Sequence, residues 1–290
     1  MPHTTCLVCC AKEQNPYLTL MTTAEKIAYF RCPECSLIFQ DPRVSFKQED
    51  IYNAAYIQKR SQDPGNLNIA QPRIKTAQHY YRWVEKFVKK GNLLEVGCAT
   101  GISLKIAQDQ GWKVFGVEVN EKAALIANGV LNADLVQVGL LNNDMFPDEY
   151  FSLVTLFDVI EHIPHPIEFL SILNKKISPG GSILFVTPNV STLSFKILKN
   201  KWPHFVQEHL ALYSPKSMNR LLKETGFRPK AQGWAIKYMS IEMLKTHAQQ
   251  HPNAHFYKPI NRLLEKMSFL GRTVFPFNIG EMFILAQKIS

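Results

Sequence analysis

Nowhere in its 290 residues does the chain run through the roughly 18 consecutive uncharged apolar positions that a bilayer crossing demands. Its opening, Met-Pro-His-Thr-Thr-Cys, lacks the basic-then-apolar order of a secretory leader. A spanning or exported protein is therefore not expected, and the chain reads as cytoplasmic. Gly-Lys-Ser/Thr is absent as well, which excludes a P-loop for a triphosphate. Acidic residues are scarce late in the chain: from Leu193 to Ser290 there are 15 basic and 5 acidic residues. The whole chain carries +9, so everything before Leu193 is close to neutral and the basic character belongs to the C-terminal third. Such an excess attracts nucleotides, RNA or an anionic membrane, and it equally describes a solvated face.

What is present suits one fair-sized domain with a small appendage, or two modest domains: 46% hydrophobic and 20% charged residues are enough to bury a core. Cysteine is sparse but clustered. Four of the six form the pairs Cys6-x-x-Cys9 and Cys32-x-x-Cys35, with Cys10 and Cys98 left over. This is not disulfide spacing, and without an export signal the thiols stay reduced. Two such knuckles present four thiolates in the tetrahedron that Zn²⁺ prefers. Iron in the same cage and two unrelated pairs are the alternatives, and Cys10 competes with Cys9 as a ligand. A cage closed by four protein ligands is structural rather than catalytic. Residues 1–44 are thus predicted to be a zinc ribbon that draws much of its folding free energy from the metal.

Residues 45–90 read as a helical linker or lid with aromatics at Tyr52, Tyr56, Tyr80, Tyr81 and Trp83, and a Gln/Asn/Pro-containing stretch over 63–72. Periodicity predicts a helix over 74–88, with Ala77, Tyr81, Val84 and Val88 on one stripe. From Asn92 onward, apolar runs at 93–96, 114–119, 135–138, 153–157 and 182–187 alternate with helical spacing at 103–110, 121–128 and 167–175. That alternation is the βαβ signature of a parallel sheet. Ligand sites in such sheets lie at the carboxyl ends of the strands.

The first of those ends reads Glu95-Val96-Gly97-Cys98-Ala99-Thr100-Gly101. Gly97 and Gly101 permit a tight turn and close approach of a ligand, and the following helix offers unpaired N–H groups. The second ends Gly116-Val117-Glu118-Val119, with an acidic residue about 20 positions past the turn, placed to accept hydrogen bonds from two ribose hydroxyls. A nucleoside-containing cofactor is expected, without the full Gly-x-Gly-x-x-Gly of a dinucleotide site.

Taken with Phe157-Asp158-Val159-Ile160-Glu161-His162 and with Ser178-Pro179-Gly180-Gly181 before an apolar strand, these motifs resemble the class I S-adenosylmethionine-dependent methyltransferases over about 92–226 and the closing strand near 283–286. The resemblance implies an α/β fold: a doubly wound, mostly parallel seven-stranded sheet, Rossmann-like, with an antiparallel last strand, over 91–290. It also implies S-adenosyl-L-methionine as cofactor. Glu95, Gly97, Cys98, Ala99 and Gly101 would lie near its methionine part, Glu118 and Val119 near its ribose, and Gly139 and Leu140 near adenine, with Asp158 bordering the site. Ala99 stands where the family often has a third glycine. The ribbon's Arg31-Cys32-Pro33-Glu34-Cys35 through Pro42 is similar to ribbons preceding bacterial methyltransferase domains, some acting on sugars. The longer sugar C-methyltransferases of that kind carry a further C-terminal domain, for which this chain is too short.

Methyl transfer often requires removal of a proton from the acceptor, for which histidine is suited near neutral pH. His162, beside Asp158 and Glu161, and the later Glu208-His209 are the candidates. The Asp158-x-x-Glu161-His162 set with His209 resembles ubiquinone-pathway O-methyltransferases and small-RNA 3′-terminal 2′-O-methyltransferases, in which a Glu/His set holds a divalent ion. Three readings stand: a metal site at Glu161, His162 and His209; a histidine base without metal; or pocket-lining histidines oriented by Asp158 and Glu161. His165 belongs to a loop between prolines. His247, His251 and His255 recur every four residues, but Pro252 interrupts any helical metal face.

Ser214-Pro215 opens a helix ended by Gly226, and 239–280 reads as a basic insertion. Within it, 260–270 is amphipathic and offers either packing over the substrate mouth, peripheral membrane contact through 260–277, or a partner surface. The chain is therefore read as a methyltransferase acting on a hydroxyl of a small metabolite, such as a sugar, a lipid intermediate or a secondary-metabolite precursor. Carbon or nitrogen acceptors stay open. The alternatives are an RNA methyltransferase gripping its substrate with ribbon and basic third, and a non-catalytic cofactor-binding interaction protein.

Overall fold

The computed structural model describes residues 5–12, 15–21, 26–41, 67–250, 258–266, 273–278 and 280–289. Strands β4 (Asn92–Val96), β5 (Lys113–Glu118), β6 (Val136–Val138), β7 (Phe151–Phe157), β8 (Ile177–Pro188), β10 (Phe227–Trp234) and β13 (Glu281–Lys288) form one seven-stranded sheet in the order β10-β13-β8-β7-β4-β5-β6. Strands β4 to β8 run parallel, and β13 lies antiparallel between β8 and β10. The expected sheet, including its reversed last strand, is the sheet found.

Side chains alternate across a strand with a period of two. Each apolar run therefore feeds two cores. Leu93, Leu153, Leu184, Val186 and Leu285 face one side, with Tyr80, Tyr81, Leu104, Ala107, Ala124 and Ala127. These come from helices α1 (Leu67–Val84), α2 (Ile102–Asp109) and α3 (Glu121–Leu131). Leu94, Val154, Ile183, Phe185 and Ile284 face the other side, against Leu170, Leu173, Met218, Leu221 and Leu222 of α4 (Pro166–Lys176) and α6 (Pro215–Glu224). Burial on both faces is why these strands read as near-continuous apolar runs. Helix α6 starts with Pro215 after the Ser214 cap, whose hydroxyl accepts from Ser217 N–H and whose own N–H donates to Ser217 Oγ.

Two boundaries differ from the sequence expectation. Helix α1 already begins at Leu67, within the expected 63–72 linker, and takes Pro72 inside it; residues 42–66, where most of the lid was expected, lie outside the described residues. The ribbon strands β1 (Asn15–Met21), β2 (Lys26–Arg31) and β3 (Ile38–Gln40) are not a closed unit. Strand β9 (Ala211–Leu212), more than 160 residues onward in the chain, pairs with β3 and completes a four-stranded sheet. An open β3 edge would leave unpaired N–H and C=O groups, and β9 covers it. Ile27, Tyr29 and Ile38 of the ribbon share a small core with Val190, Phe195, Trp202, Phe205 and Leu212.

Part of the 239–280 insertion is anchored too. Strand β11 (Lys237–Ser240) pairs with β12 (Val274–Phe277), and between them lie helices α7 (Ile241–Gln250) and α8 (Lys258–Lys266). On α8, Leu264 is buried and Leu263 exposed. His251, His255 and residues 267–272 lie outside the described residues, as does the side chain of His247.

Glycine placement makes the packing testable. A Cβ at Gly116 would come within 2.9 Å of Cys98 Sγ, Leu104 Cδ1 and Val136 Cγ2, whereas one at Gly129 meets nothing within 4 Å. Gly116→Ala should therefore lose about 1–3 kcal/mol to overpacking. Gly129→Ala, in the last turn of α3, should gain up to about 1 kcal/mol. Urea unfolding of the two variants measures both; equal effects would contradict this packing.

Candidate functional site

The carboxyl edge of the parallel strands gathers two clusters. The first is the turn after β4. Gly97 and Gly101 take φ of 72° and 77°, in the left-handed region, where glycine has no Cβ penalty. Gly101 is also the N-cap of α2, with no side-chain cap on its first N–H groups. Ala99, in the position of the expected third glycine, takes φ 48°; its N–H donates to Glu118 Oε2 at 2.8 Å, and Asn120 N–H donates to Oε1 at 3.0 Å. The Glu118 carboxylate thus ties the ends of β4 and β5 together. Gly139 follows β6, and its N–H donates to Glu118 O, so the expected adenine-side residues Gly139 and Leu140 sit beside the same strand end. Val119 continues from Glu118. Leu140 is exposed.

Glu95 is buried beneath this turn. Tyr81 Oη donates to its Oε2 at 3.1 Å, and Ser103 Oγ lies 3.0 Å from Tyr81 Oη. Burial pushes the Glu95 carboxyl up to about 8, against the opposing effect of these hydroxyls. Burial likewise holds the Cys98 thiol above its usual range, so Cys98 is a packing residue at the turn. In the sequence, Tyr81 is marked only as one position of an apolar stripe.

The second cluster follows β7. A short turn of 3₁₀ helix, Ile160–His162, carries Glu161 and His162, and the segment after α5 (Leu193–Leu198) brings His209 across. One donor atom from each of Glu161, His162 and His209 lies within 4.8 Å of the others, and the two imidazoles are 4.9 Å apart between centroids. Both rings are oriented by main chain: His162 Nδ1 donates to Glu208 O and His209 Nδ1 to His204 O, each at 2.7 Å. Because a carbonyl only accepts, both carry the proton on Nδ1 and the basic lone pair on Nε2. Glu161 is buried; its Oε2 accepts from Thr187 Oγ1 at 3.0 Å, while Oε1 has no hydrogen-bond partner among the described residues. Burial, followed by the charge of Asp158, pushes this carboxyl up to about 8.

Asp158 is not drawn into that group. Its carboxylate receives Lys237 Nζ at 2.7 and 2.8 Å, and Lys237 also donates to Glu281 Oε1 at 2.8 Å. Burial lowers the Lys237 ammonium, but the carboxylates of Asp158 and Glu281 outweigh this and hold it above its usual range. Sequence reasoning passes over Lys237, since it stands 79 residues from Asp158 with no motif of its own. Asp158 takes φ 55°, a strained backbone that the ion pair and the Asp158 N–H to Val186 O hydrogen bond hold in place. The two clusters adjoin: a Cβ at Gly97 would meet Val159 Cγ2 at 2.8 Å. His165 is the N-cap residue of α4, outside the cluster.

A third group lies in the ribbon. Sulfurs of Cys6, Cys9, Cys32 and Cys35 all fall within 4.8 Å of one another, with Cys6–Cys35 and Cys9–Cys32 at 3.5 Å. A Zn–S bond of about 2.3 Å gives a tetrahedral S–S edge of about 3.8 Å, so the cage is compatible with zinc. Cys10 is exposed and turned aside at φ 59°; Cys9 is the member of the cage. Burial pushes the Cys9 thiol up to about 11, a protonation that a divalent cation reverses. Burial, then the charge of Glu161, then Cys6 and Cys35, keep the Tyr213 hydroxyl above its usual range. One buried phenol thus feels both the cage and the histidine cluster.

Comparison with known proteins agrees with this geometry. Residues 72–232, more than half of the chain, match the family described as a methyltransferase domain. Ubiquinone biosynthesis O-methyltransferase of Thiobacillus denitrificans is 25% identical over 160 residues, which are 50% of this chain and 68% of that protein. The enzyme of the same name from Acinetobacter baylyi is 25% identical over 153 residues, 48% of this chain and 63% of its own length. Among solved structures, a protein from Bacillus halodurans shares the fold at a TM-score of 0.52 and 18% identity, over 73% of this chain and 99% of that one. An S-adenosylmethionine-dependent methyltransferase from Thermotoga maritima does so at 0.52 and 16% identity, over 81% and 99%. The glycine turn and Glu118 at the carboxyl edge, the seven-stranded sheet with its reversed last strand, and the family match together make this chain a class I S-adenosylmethionine-dependent methyltransferase.

Proposed function

We propose that this methyltransferase acts on a hydroxyl of a small metabolite, with His162 or His209 as the proton acceptor. The observation that carries the reading is the pair of imidazoles, each pinned through Nδ1 to a backbone carbonyl, next to the glycine turn at the carboxyl edge. S-adenosyl-L-methionine supplies an electrophilic methyl on a sulfonium. Gly97, Cys98, Ala99 and Gly101 would let the main chain approach its methionine part, Glu118 would accept from its ribose, and Val119, Gly139 and Leu140 would border the adenine.

Nε2 of one histidine would take the proton of an acceptor hydroxyl held at this edge, and the cofactor would supply the methyl group that the oxygen receives. Buried Glu161 stabilises the resulting imidazolium, and Lys237 pairs with Asp158 and holds it out of the proton path. Similarity to ubiquinone-pathway enzymes supports an oxygen acceptor. A second reading rests on the approach of Glu161, His162 and His209: the three would hold a divalent ion that lowers the pKa of the hydroxyl. RNA as acceptor and membrane contact through 260–277 have no comparable support.

Transfer of a labelled methyl group from S-adenosylmethionine into a host-type extract, fractionated into RNA, lipid and small-metabolite pools, tests the acceptor class. Label in the metabolite or lipid pool is expected, and label confined to RNA would overturn the reading. Gly97→Arg, which fills a turn already against Val159, should weaken S-adenosylhomocysteine binding by more than tenfold while circular dichroism stays native. Unchanged affinity would reject the placement of the cofactor. For the ribbon, elemental analysis should find about one zinc per chain held by Cys6, Cys9, Cys32 and Cys35. The double replacement Cys32→Ser, Cys35→Ser should lose it, and zinc retained in that variant would reject the cage.

A further inference from the structure

The second cysteine knuckle, Cys32 to Cys35, is the turn of a hairpin. It closes the chain between β2 and β3, and Tyr29 and Gln40 stand opposite one another across that hairpin. Both side chains reach beyond the ribbon. Gln40, fully buried, points Nε2 at Gln207 O and His209 O, each at 2.9 Å, and at Tyr29 Oη at 3.0 Å. Tyr29 Oη donates to Val206 O at 3.0 Å, with His209 O at 3.4 Å. Gln40 N–H donates to Leu210 O at 2.9 Å, and the pairing then continues as Phe39 with Ala211 and Ile38 with Leu212.

Within the segment gripped in this way the backbone bonds are tight and local: His209 N–H donates to Val206 O and Val206 N–H to His204 O. The same segment orients both imidazoles, because Glu208 O receives His162 Nδ1 and His204 O receives His209 Nδ1. A donor amide facing two carbonyls cannot be replaced by an apolar group without leaving those carbonyls short of a partner in a buried place.

The geometry points to Tyr29 and Gln40 of the ribbon as positioning residues that, through the main chain of 206–209, hold His162 and His209 in the Nδ1–H tautomer with Nε2 basic. This deepens, and rests on, the reading of that pair as the acceptor side of the site. The cysteine cage thereby acts on the site at a distance, since a metal there fixes the hairpin turn and the hairpin fixes the histidines. Tyr29 and Gln40 grip 206–210 rather than the glycine turn, so cofactor affinity is independent of them.

The test uses the full chain, zinc-loaded and saturated with S-adenosylhomocysteine, with ¹⁵N-labelled histidine. Imidazole nitrogen shifts distinguish the two neutral tautomers, and His162→Gln and His209→Gln assign the signals. The wild type should show His162 and His209 as Nδ1–H. In Gln40→Met, and to a lesser degree in the milder Tyr29→Phe, both should relax toward the Nε2–H form favoured in water. Affinity for S-adenosylhomocysteine should change by less than about twofold, and zinc content should be unchanged. Pure Nδ1–H signals in both variants, or a loss of cofactor affinity matching the change in tautomer, would overturn the proposal. Labelled methyl transfer into extract separates the two claims. Full transfer by His162→Gln and His209→Gln would sink the proton-acceptor reading while leaving the clamp standing; loss of transfer in these two with wild-type tautomers in the Gln40 and Tyr29 variants would sink the clamp alone.

Discussion

The carboxylate of Glu118 is the point through which the turns after β4 and β5 are joined. Two backbone N–H groups from different turns, those of Ala99 and Asn120, converge on its two oxygens. Backbone bonds run through the glycine turn after β4, and Ala99 within it sits at a positive φ that costs an L residue about 1–2 kcal/mol. A charge-assisted hydrogen bond is the kind of interaction large enough to offset that cost. The same carboxylate thus shapes both turns at the carboxyl edge, and the proposed ribose contact falls on it.

The acceptor half is built differently. Its polar groups are oriented from outside the sheet, by main-chain carbonyls of 204–208 and by the ribbon that grips this segment. Charges are handled by pairing, with Lys237 taking Asp158 and Glu281, and burial raises the Glu161 carboxyl to about 8.

Much of this is legible in the residues. Strand runs, the glycine turn, Glu118 and the cysteine knuckles are local signals, each contained within a few positions whose spacing follows from backbone geometry. His162 with His209 is legible only by resemblance, and the structure adds why they meet: β9 joins the ribbon sheet and brings 204–209 over the end of β7. Three side chains are not readable in this way. Lys237, Gln40 and Tyr29 are single residues whose partners on distant elements lie 44 to 180 positions away, and no periodicity marks a side chain that reaches so far along the chain. The choice between Cys9 and Cys10 is made by backbone conformation at Cys10, which spacing does not encode. Asp158 looks in the sequence like one member of an acidic–histidine set, because the lysine that claims it comes from a strand at the start of the basic insertion.

Glu118 joins the two turns, and the proposed cofactor cradle depends on that join. Calorimetric titration of S-adenosylhomocysteine into the wild type and Glu118→Ala, with the urea midpoint of each measured alongside, addresses it most directly. Loss of a carboxylate hydrogen-bonding to ribose should cost about 1.5–3 kcal/mol, so binding more than tenfold weaker in a protein that still folds cooperatively is the expected result. Equal affinity of the two proteins would contradict the account.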